Sequence, residues 1–364
     1  MKGKARPAST FRALFGGEPE VRTEAPGRAN LIGEHTDYTG GYVLPLAIPR
    51  TTRVELRRRS DDLVRVHSVQ QGMTASYRVG AEAPRHDWVD YVQGVTAVAR
   101  PRALGGFEAR IDSDVPPGSG LASSAALTVS MLRALRQAFA WELDDLRLAL
   151  LGQRAEVELV GAPVGVMDPM AASLGTAGSA LFVDTRSLRV ERVGLPAGLG
   201  IAVVHSGISH DHASGEYRVR RRECEEATRA LGVPDLRSLE VGDPRIASLP
   251  SPLDRRVRHV VTENARVLEA VEDLRAGALE HLGALLNASH RSLRDDYQVS
   301  LPDLDRLVAL ADAAPGALGA RLTGGGFGGA IVVAARPEGL RASMQRVAEQ
   351  YRRETGRTAT VLVS

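Results

Sequence analysis

The first half of the chain alternates apolar and polar residues with a period of two, the pattern of half-buried strands. The segments that follow this pattern are 51–60, 63–70, 73–80 and 106–115. Two longer apolar stretches come next, LASSAALTVSMLRALRQAFA at 121–140 and DDLRLALLGQRAEVELVG at 144–161, and their spacing predicts helices. Asp144 is suited to cap the second helix and Gly161 to end it.

The second half begins with a predicted hairpin at 179–195 and a buried strand at 198–207. It then becomes mainly helical, and the charged amphipathic pattern at 216–232 predicts a helix that ends at Gly232. Residues 320–337, ARLTGGGFGGAIVVAARP, predict a glycine turn that leads into an apolar strand. Strands early, helices in the middle and strands again late favour an α+β protein.

The length of 364 residues allows two domains with separate cores, and we place the boundary so that they cover 1–195 and 196–364. A single cysteine, Cys224, excludes an intramolecular disulfide and a thiolate zinc site, which fits a cytoplasmic protein. The N-terminus lacks the apolar core of a secretory signal, and no apolar run is long enough to span a bilayer.

Lysine occurs only at positions 2 and 4, so all but two of the 46 basic residues are arginine. A Walker A phosphate loop and the protein-kinase motifs both require a lysine that this chain lacks, and both are excluded. The pI of about 8.8 does not indicate nucleic-acid binding, because the basic clusters are interleaved with acidic residues.

One glycine-flanked segment gathers unusually polar side chains. In APGRANLIGEHTDYTGGYVLPLAI, residues 25–48, an arginine, two carboxylates, an imidazole and a hydroxyl surround a turn between two apolar runs. A metal site is one interpretation of Glu-His-x-Asp, but neighbouring side chains in extended backbone point in opposite directions and chelate poorly.

The segment DVPPGSGLASSAAL, residues 114–127, predicts a phosphate loop. Gly118 and Gly120 let the backbone present amides to a ligand, and Ser123 and Ser124 fall near the first turn of an apolar helix. A serine hydroxyl at that position can also reach a phosphate-bound Mg²⁺. The alternative is an ordinary loop with serine caps.

Two further segments are ambiguous on their own. In GAPVGVMDPMAASLG, residues 161–175, Asp168 followed by Pro169 has the form of a helix N-cap with proline at the first helical position. Such a cap is compatible with a rigid catalytic role. The glycines of 321–329 are compatible with lining a nucleotide and with tight turns against a neighbouring strand.

Together these segments resemble the GHMP small-molecule kinases, and residues 27–48 are similar to the galactokinase signature. The resemblance covers roughly residues 20–335 and includes the phosphate loop and the TGGGFGGA motif. It implies a two-domain α+β fold, with a ribosomal-S5-like N-terminal domain, a ferredoxin-like α/β C-terminal domain and an active site in the cleft. It also implies transfer of the γ-phosphoryl group of ATP to the anomeric hydroxyl of D-galactose.

The resemblance assigns site residues position by position. For the sugar they are Glu34, His35, Asp37, Gly165, Asp168 and Tyr217. For ATP they are Pro117, Gly118, Ser119, Gly120, Leu121, Ala122, Ser123 and Ser124. Ser124 and Glu156 correspond to Mg²⁺ ligands, and Asp168 and Arg28 to the catalytic pair, with Asp168 as a general base or an orienting group. Without the resemblance, Tyr217 is a half-buried ring and Glu156 a solvated helix carboxylate.

One position departs from the family pattern, because Pro169 follows Asp168 where the family usually has glutamine. This affects the expected substrate geometry and leaves the aspartate in place. We expect a monomer that binds D-galactose, ATP and Mg²⁺ and neither nucleic acid nor membrane.

Two other functions remain open at this point. One is a related sugar 1-kinase acting on arabinose, galacturonate or N-acetylgalactosamine, because the pocket walls that distinguish these sugars cannot be placed. The other is a sugar and ATP sensor without catalysis, which the intact phosphate loop and Asp168 disfavour.

Overall fold

The computed structural model describes residues 10–99, 103–208 and 213–363. Its α-helices are α1 (Phe11–Phe15), α2 (Val89–Ala99), α3 (Ser123–Ala138), α4 (Asp145–Ala155), α5 (Met167–Leu174), α6 (Ala213–Leu231), α7 (Leu253–Ala276), α8 (Leu279–Asp295), α9 (Pro302–Asp312) and α10 (Leu340–Thr355). Its strands are β1 (Val21–Asn30), β2 (Tyr42–Val43), β3 (Pro45–Arg58), β4 (Leu63–Ser68), β5 (Met73–Arg78), β6 (Phe107–Ser113), β7 (Ser179–Asp184), β8 (Arg189–Gly194), β9 (Gly200–His205), β10 (Ala317–Thr323), β11 (Ala330–Ala335) and β12 (Thr360–Val363).

The chain forms two compact units, each assembled from several segments. Unit 1 comprises Met1–Gly27, Arg50–Pro116 and Ala122–Leu174. Unit 2 comprises Arg28–Pro49, Pro117–Leu121 and Gly175–Ser364. The division into 1–195 and 196–364 made from the sequence assumes continuous domains and stays a prediction.

Unit 1 contains a sheet covered by helices. In it β3 pairs with β6 antiparallel, β6 with β4 parallel and β4 with β5 antiparallel. The inward side chains of these strands, among them Val54, Val66 and Phe107, form one core with helical residues such as Val95 and Leu132. This burial of one strand face explains the period-two pattern of the sequence.

Unit 2 contains a four-stranded antiparallel sheet in the order β10-β11-β9-β12. Every residue of β11, AIVVAA, is buried, as expected for a strand that is paired on both edges and covered on both faces. Helices α8 and α9 contact β10, and α10 contacts β9 and β12. The short β7 pairs antiparallel with β2 and with β8, which confirms the predicted hairpin.

The local predictions are confirmed and their ends are adjusted. Asp144 caps α4 by accepting from the Arg147 amide at 2.7 Å. The predicted helix 144–161 is α4 followed by a π-helical turn, Glu156–Val160, that ends at Gly161. Helix α6 ends before Gly232. The mixture of sheets and helices confirms the α+β class, and none of the described helices is long and apolar enough to cross a membrane.

Candidate functional site

The turn that follows β1 lies inside unit 2 and is fixed by its own backbone. Leu31 and Ile32 are fully buried and anchor its start. Gly33 has a φ of 103°, and a Cβ there would lie 2.7 Å from the Tyr42 carbonyl, so only glycine fits. The Thr36 hydroxyl donates to the carbonyl oxygens of Gly33 and Tyr42, at 2.9 and 2.6 Å. Thr36 therefore has a structural role.

Glu34 is buried and accepts from groups on both sides of the turn. One carboxylate oxygen accepts from Asn30 Nδ2 at 2.7 Å and lies 2.5 Å from the guanidinium of Arg321. The other accepts from the Gly324 amide at 2.7 Å and from the Thr323 hydroxyl at 3.2 Å. Burial raises the pKa of Glu34, and the Arg321 charge opposes this shift. Glu34 thus ties the turn to the end of β10.

A second buried carboxylate supports this arrangement from α7. Glu263 accepts from the Gly33 amide at 3.0 Å and from the Ser289 hydroxyl at 2.6 Å. Burial would raise the pKa of Glu263, but Arg266 and Arg321 outweigh it and lower the pKa to about 2. The ionised carboxylate therefore holds the start of the turn.

His35 is held in a left-handed backbone conformation, with a φ of 63°. Its Nδ1 lies 2.8 Å from the hydroxyl of Tyr38, and its ring centroid lies 5.4 Å from that of Tyr217 and 4.7 Å from that of Tyr297. Burial, and then the charge of His259, lower the pKa of His35 to about 3. His35 is therefore neutral at physiological pH. The structure brings it together with Tyr217, while Asp37 is half-buried in the same turn.

The phosphate loop contacts Arg28 within unit 2. The Arg28 guanidinium donates to the Gly120 carbonyl at 2.6 Å, and the Arg28 amide donates to the Leu121 carbonyl at 3.0 Å. In a trans peptide the C=O and N–H bonds point in opposite directions. Because the carbonyls of Gly120 and Leu121 face Arg28, the N–H groups of Leu121 and Ala122 point away from it. A Cβ on Gly324 would lie 3.0 Å from the Gly120 carbonyl, so the glycine turn packs directly on this loop.

The loop leads into α3 with an open helix start. Ala122, the N-cap, has a φ of 58° and makes no side-chain capping bond. Ser123 is the first helical residue, which confirms that Ser123 and Ser124 lie in the first turn, and both are half-buried. The first N–H groups of a helix suit an anion when no side chain caps them.

Within unit 1, Glu156 lies where α4 changes into the π-helical turn, a distortion found frequently at functional sites. Its carboxylate is buried, hydrogen-bonds to Ser124 and accepts from the Thr128 hydroxyl at 3.5 Å. Burial raises the pKa of Glu156 to about 8, and the charge of Asp168 adds to the shift. The structure thus brings Ser124, Glu156 and Asp168 together in this unit. Glu156 is therefore not the solvated helix carboxylate that the sequence indicates without the family resemblance.

The prediction that Asp168 is an N-cap is wrong, because α5 begins at Met167, two residues before the predicted first helical residue, Pro169. Met167 is the first helical residue, so Asp168 and Pro169 are the second and third. Proline is tolerated there because the first-turn amides have no intrahelical partner. Pro169 is buried, and a Cβ on Gly152 of α4 would lie 3.5 Å from its Cβ. The residue that replaces the usual glutamine therefore serves packing. Gly165, just before α5, is also buried.

Several residues that build the site were not found from the sequence. They are Asn30, Tyr38, Glu263, His259, Tyr297, Arg321 and Thr323, all in unit 2. Asn30 and Tyr38 lie in the signature segment itself, where their roles were not recognised. The other five look like ordinary helix, strand or loop residues locally, and only the folded chain places them beside residues 33–38. No group of three or more His, Cys, Asp or Glu able to hold a metal ion occurs in the described part of the chain.

Comparison with known proteins gives a consistent family relationship. The galactokinase galactose-binding signature matches residues 9–58, and the GHMP kinase N-terminal and C-terminal domains match 90–176 and 270–353. The galactokinase of Chloroflexus aurantiacus is 43% identical over 98% of this chain and 94% of its own length. That of Haemophilus influenzae is 41% identical over 95% of this chain and 93% of its own length.

Solved structures agree. Lactococcus lactis galactokinase, complexed with galactose, superposes with a TM-score of 0.91 at 31% identity, over 98% of this chain and 96% of its own. The mevalonate kinase of Methanococcus jannaschii has a TM-score of 0.70 at 17% identity, over 96% of this chain and 98% of its own, and supports the fold alone. The two-domain GHMP kinase fold is thereby confirmed.

Proposed function

The chain belongs to the galactokinase family, and from this premise we propose how its own residues divide the work of the reaction. The protein is an ATP-dependent sugar kinase that transfers the γ-phosphoryl group of ATP to the C1 hydroxyl of D-galactose, giving α-D-galactose 1-phosphate and ADP. The observation that carries this function is the buried signature turn, in which Glu34 and His35 are fixed by neighbouring side chains.

Sugar binding is assigned to Glu34, His35, Asp37, Gly165, Asp168 and Tyr217. The residue types support this, since carboxylates only accept hydrogen bonds and a neutral imidazole can donate one. Glu34 already accepts three hydrogen bonds and pairs with Arg321, so a sugar hydroxyl would share an oxygen whose position these contacts fix. Such a rigid acceptor favours one orientation of the sugar.

ATP binding is assigned to residues 117–124. The amides that Arg28 turns outward and the uncapped start of α3 are the donors for the phosphates. Without a lysine in the loop, the backbone and Arg28 supply the positive potential there. The Arg28 guanidinium has five N–H donors, and the Gly120 carbonyl accepts from one of them. We propose that this guanidinium also stabilises the negative charge that develops on the transferred phosphoryl group.

Mg²⁺ binding is assigned to Ser124 and Glu156. Their hydroxyl and carboxylate oxygens are hard donors, and their hydrogen bond holds both on one side of α3, so the pair fits an ion that takes few protein ligands. Bound Mg²⁺ neutralises charge on the β- and γ-phosphate oxygens. The raised pKa of Glu156 means that its carboxyl group must lose a proton before it can serve as a ligand.

Asp168 is assigned to the attacking C1 hydroxyl. Asp168 lies in the first turn of α5 between the buried residues Met167 and Pro169, and this fixes the direction of its side chain. It accepts the hydroxyl hydrogen, which points the oxygen at the phosphorus atom and receives the proton as the bond forms. Phosphoryl transfer needs mainly positioning and charge stabilisation. Positioning the hydroxyl and accepting its proton is therefore a sufficient role for Asp168.

The specificity is tested by Mg²⁺-dependent ADP release across galactose, glucose, arabinose, galacturonate and N-acetylgalactosamine. We expect turnover with galactose far above the others. Turnover with a different sugar would still show a sugar kinase, but one whose preferred substrate is not galactose. ATP and galactose binding without any turnover would support a sensor.

We also propose a cytoplasmic monomer. The single cysteine, Cys224, is buried and suits a reducing compartment. The large apolar side chains that are exposed in the described residues are few, namely Met73, Val157, Val190, Val241 and Leu268. Sedimentation at the chain mass of 38.9 kDa is the expected result, and a dimer mass would contradict it.

A further inference from the structure

A chain of buried hydroxyl and thiol groups ends on His35. The Cys224 thiol on α6 lies 3.1 Å from the Tyr297 hydroxyl, which lies 2.7 Å from the Tyr38 hydroxyl. The Tyr38 hydroxyl lies 2.8 Å from Nδ1 of His35. Cys224, Tyr297 and His35 are at most 4% exposed. Tyr38 is half-buried, and its hydroxyl lies between two of these buried groups. Buried polar groups are normally hydrogen-bonded, so the members of this chain satisfy one another.

All four groups are neutral at physiological pH. Burial raises the pKa of both tyrosine hydroxyls well above 10 and that of the Cys224 thiol to about 12, and it lowers that of His35. Each hydroxyl or thiol then has one hydrogen to donate. The chain therefore orients His35 and does not deliver protons to it.

The hydrogens can run along this chain in one of two directions. If the thiol donates to Tyr297, Tyr297 donates to Tyr38 and Tyr38 to Nδ1, then the ring proton of His35 is on Nε2. In the opposite direction the proton is on Nδ1 and Nε2 is a bare acceptor. The two directions differ in what Nε2 offers to a ligand, a hydrogen in the first and a lone pair in the second.

The second nitrogen of the ring is left available. Nε2 of His35 is buried and has no hydrogen-bond partner of good geometry among the described residues. A buried N–H without such a partner is destabilising, and a hydrogen bond to a ligand oxygen would remove that cost. The backbone at His35 is itself in a left-handed conformation, which costs free energy and persists only where neighbouring groups enforce it.

We propose that Tyr38 and Tyr297 are positioning residues that hold His35 with its proton on Nε2, so that His35 donates a hydrogen bond to an oxygen of the sugar. This inference rests on the proposed sugar-binding role of the turn. Glu34 and Asp37 can only accept hydrogen bonds, so His35 supplies the donor that a carboxylate cannot. A sugar hydroxyl that accepts from His35 while donating to a carboxylate is bonded on both sides, and an analogue without that oxygen would leave Nε2 unpaired.

The test compares two tyrosine-to-phenylalanine variants by ring ¹⁵N NMR of the histidines and by equilibrium galactose binding. Tyr38→Phe removes the partner of His35 Nδ1, and a His35→Asn variant assigns the signal. The matched control is Tyr77→Phe in unit 1, because Tyr77 is buried and loses a comparable hydroxyl contact, to Thr96 at 3.1 Å. Melting temperatures of all variants separate loss of folding from loss of orientation.

In the unmodified protein we expect the His35 signal of an imidazole protonated at Nε2. Tyr38→Phe should shift this signal toward the other tautomer and weaken galactose binding about tenfold or more, the effect of one buried hydrogen bond. Tyr77→Phe should lower the melting temperature without either effect. Tyr297→Phe, which leaves the Tyr38–His35 contact in place, should fall between the two.

Two results would overturn the inference. One is an unmodified protein whose His35 carries its proton on Nδ1. The other is a Tyr38→Phe variant that binds galactose as tightly as the Tyr77→Phe control. The tautomer of His35 and the galactose affinity are both measured without turnover. A protein that binds galactose through this arrangement but does not phosphorylate it would therefore contradict the proposed function and leave this inference standing.

Discussion

The guanidinium of Arg321 lies 2.5 Å from the carboxylate of Glu34, and both side chains are buried. Arg321 also donates to the carbonyl oxygens of Asn30 and Leu31, at 3.2 and 3.1 Å, so it binds the signature turn through backbone and side chain together. Breaking a buried ion pair by removing one charge is costly because the other charge stays uncompensated. The sugar turn and the end of β10 therefore behave as one piece.

Replacing the Glu34 charge should weaken sugar binding and the fold at once. In Glu34→Gln the amide N–H₂ replaces one of the two oxygens and faces a donor, either Asn30 Nδ2 or the Gly324 amide. Arg321 then keeps only the more distant carboxylate of Glu263, at 3.7 Å. We expect the galactose KM to rise about tenfold or more, the ATP KM to change less, and stability to fall by about 3 kcal/mol. Steady-state kinetics and chemical denaturation measure these quantities.

Glu108→Gln is the matched control for that variant. Glu108 is a buried carboxylate in unit 1, and Arg57, Arg59 and Arg65 contact it at 2.5, 3.2 and 3.0 Å. Its amide variant should lose stability without a selective rise in the galactose KM. An equal rise of both KM values in Glu34→Gln would count against a sugar-binding role for Glu34.

Removing the Asp168 carboxylate should abolish transfer and spare galactose binding. The expected fall in kcat for Asp168→Ala is at least about 100-fold, the contribution of a positioned acid or base, with a nearly unchanged galactose Kd. Asp144→Ala, which removes a true N-cap, should cost about 1 kcal/mol of stability and leave kcat unchanged. If Asp168→Ala lost binding and turnover equally, Asp168 would be a structural residue.

Two buried histidines should make the protein sensitive to mild acid. Burial lowers the pKa of His259 to about 4 and that of His35 to about 3, from an ordinary 6.5. Below pH 6.5 the unfolded chain binds protons that the native state excludes, so this stability is fully present above pH 6.5. It falls by about 1.4 kcal/mol per pH unit for each histidine until the native groups titrate.

The free energy of unfolding, measured by denaturation between pH 7.5 and 4.5, checks this expectation. Gln can still donate to the Glu34 carbonyl that His259 Nε2 contacts at 3.1 Å, so His259→Gln should lose about 1.4 kcal/mol less than the unmodified protein for each pH unit below pH 6.5. His281→Gln should act in the opposite sense, because the hydrogen bond to Asp273 raises the pKa of His281 and this pair contributes stability in acid that the variant loses. The raised pKa values of Glu156 and Glu34 act in the opposite direction over the same pH range, so the comparison with the variant is the test. A His259→Gln profile that runs parallel to that of the unmodified protein would show that His259 is not buried as a neutral group.

Helix α8 and strand β10 are in backbone contact at a glycine pair. A Cβ on Gly283 would lie 2.0 Å from the Leu318 carbonyl, and one on Gly319 would lie 2.2 Å from the Gly283 carbonyl. We therefore expect Gly283→Ala to lower the free energy of unfolding by roughly 2 kcal/mol or more, since backbone must move.

Gly215 in α6 offers the opposite case, because nothing lies within 4 Å of its added Cβ. Gly215→Ala should stabilise the protein by about 0.5–1 kcal/mol, the difference between glycine and alanine in a helix. A Gly283→Ala variant as stable as Gly215→Ala would mean that α8 and β10 are not in backbone contact.

The elements that could be predicted from the sequence are those whose signals are local. The cap at Asp144, the helix end at Gly232 and the hairpin of β7 and β8 each depend on residues within a few positions of one another. Periodic burial on one face gave the strands of unit 1 in the same way. The family signature added site residues that no local rule provides.

The environment of the site could not be predicted, because distant residues build it. Thr323 contacts Glu34 across 289 positions, and nothing near Arg321 in the sequence indicates that it is buried. The predicted start of α5 was two residues too late, since Asp168-Pro169 has the form of a cap and nothing local indicates that the helix already includes Met167. The π-helical turn at Glu156 likewise has no local signature.

The central claim is transfer of a phosphoryl group from ATP to the C1 oxygen of galactose. The most direct test is NMR of a reaction containing the protein, Mg²⁺, ATP and galactose labelled with ¹³C at C1. The account predicts that the C1 signal becomes split by coupling to phosphorus in the α-anomer, in step with ADP formation. Phosphorus coupled to another carbon, or ADP formed while the sugar remains unmodified, would contradict it.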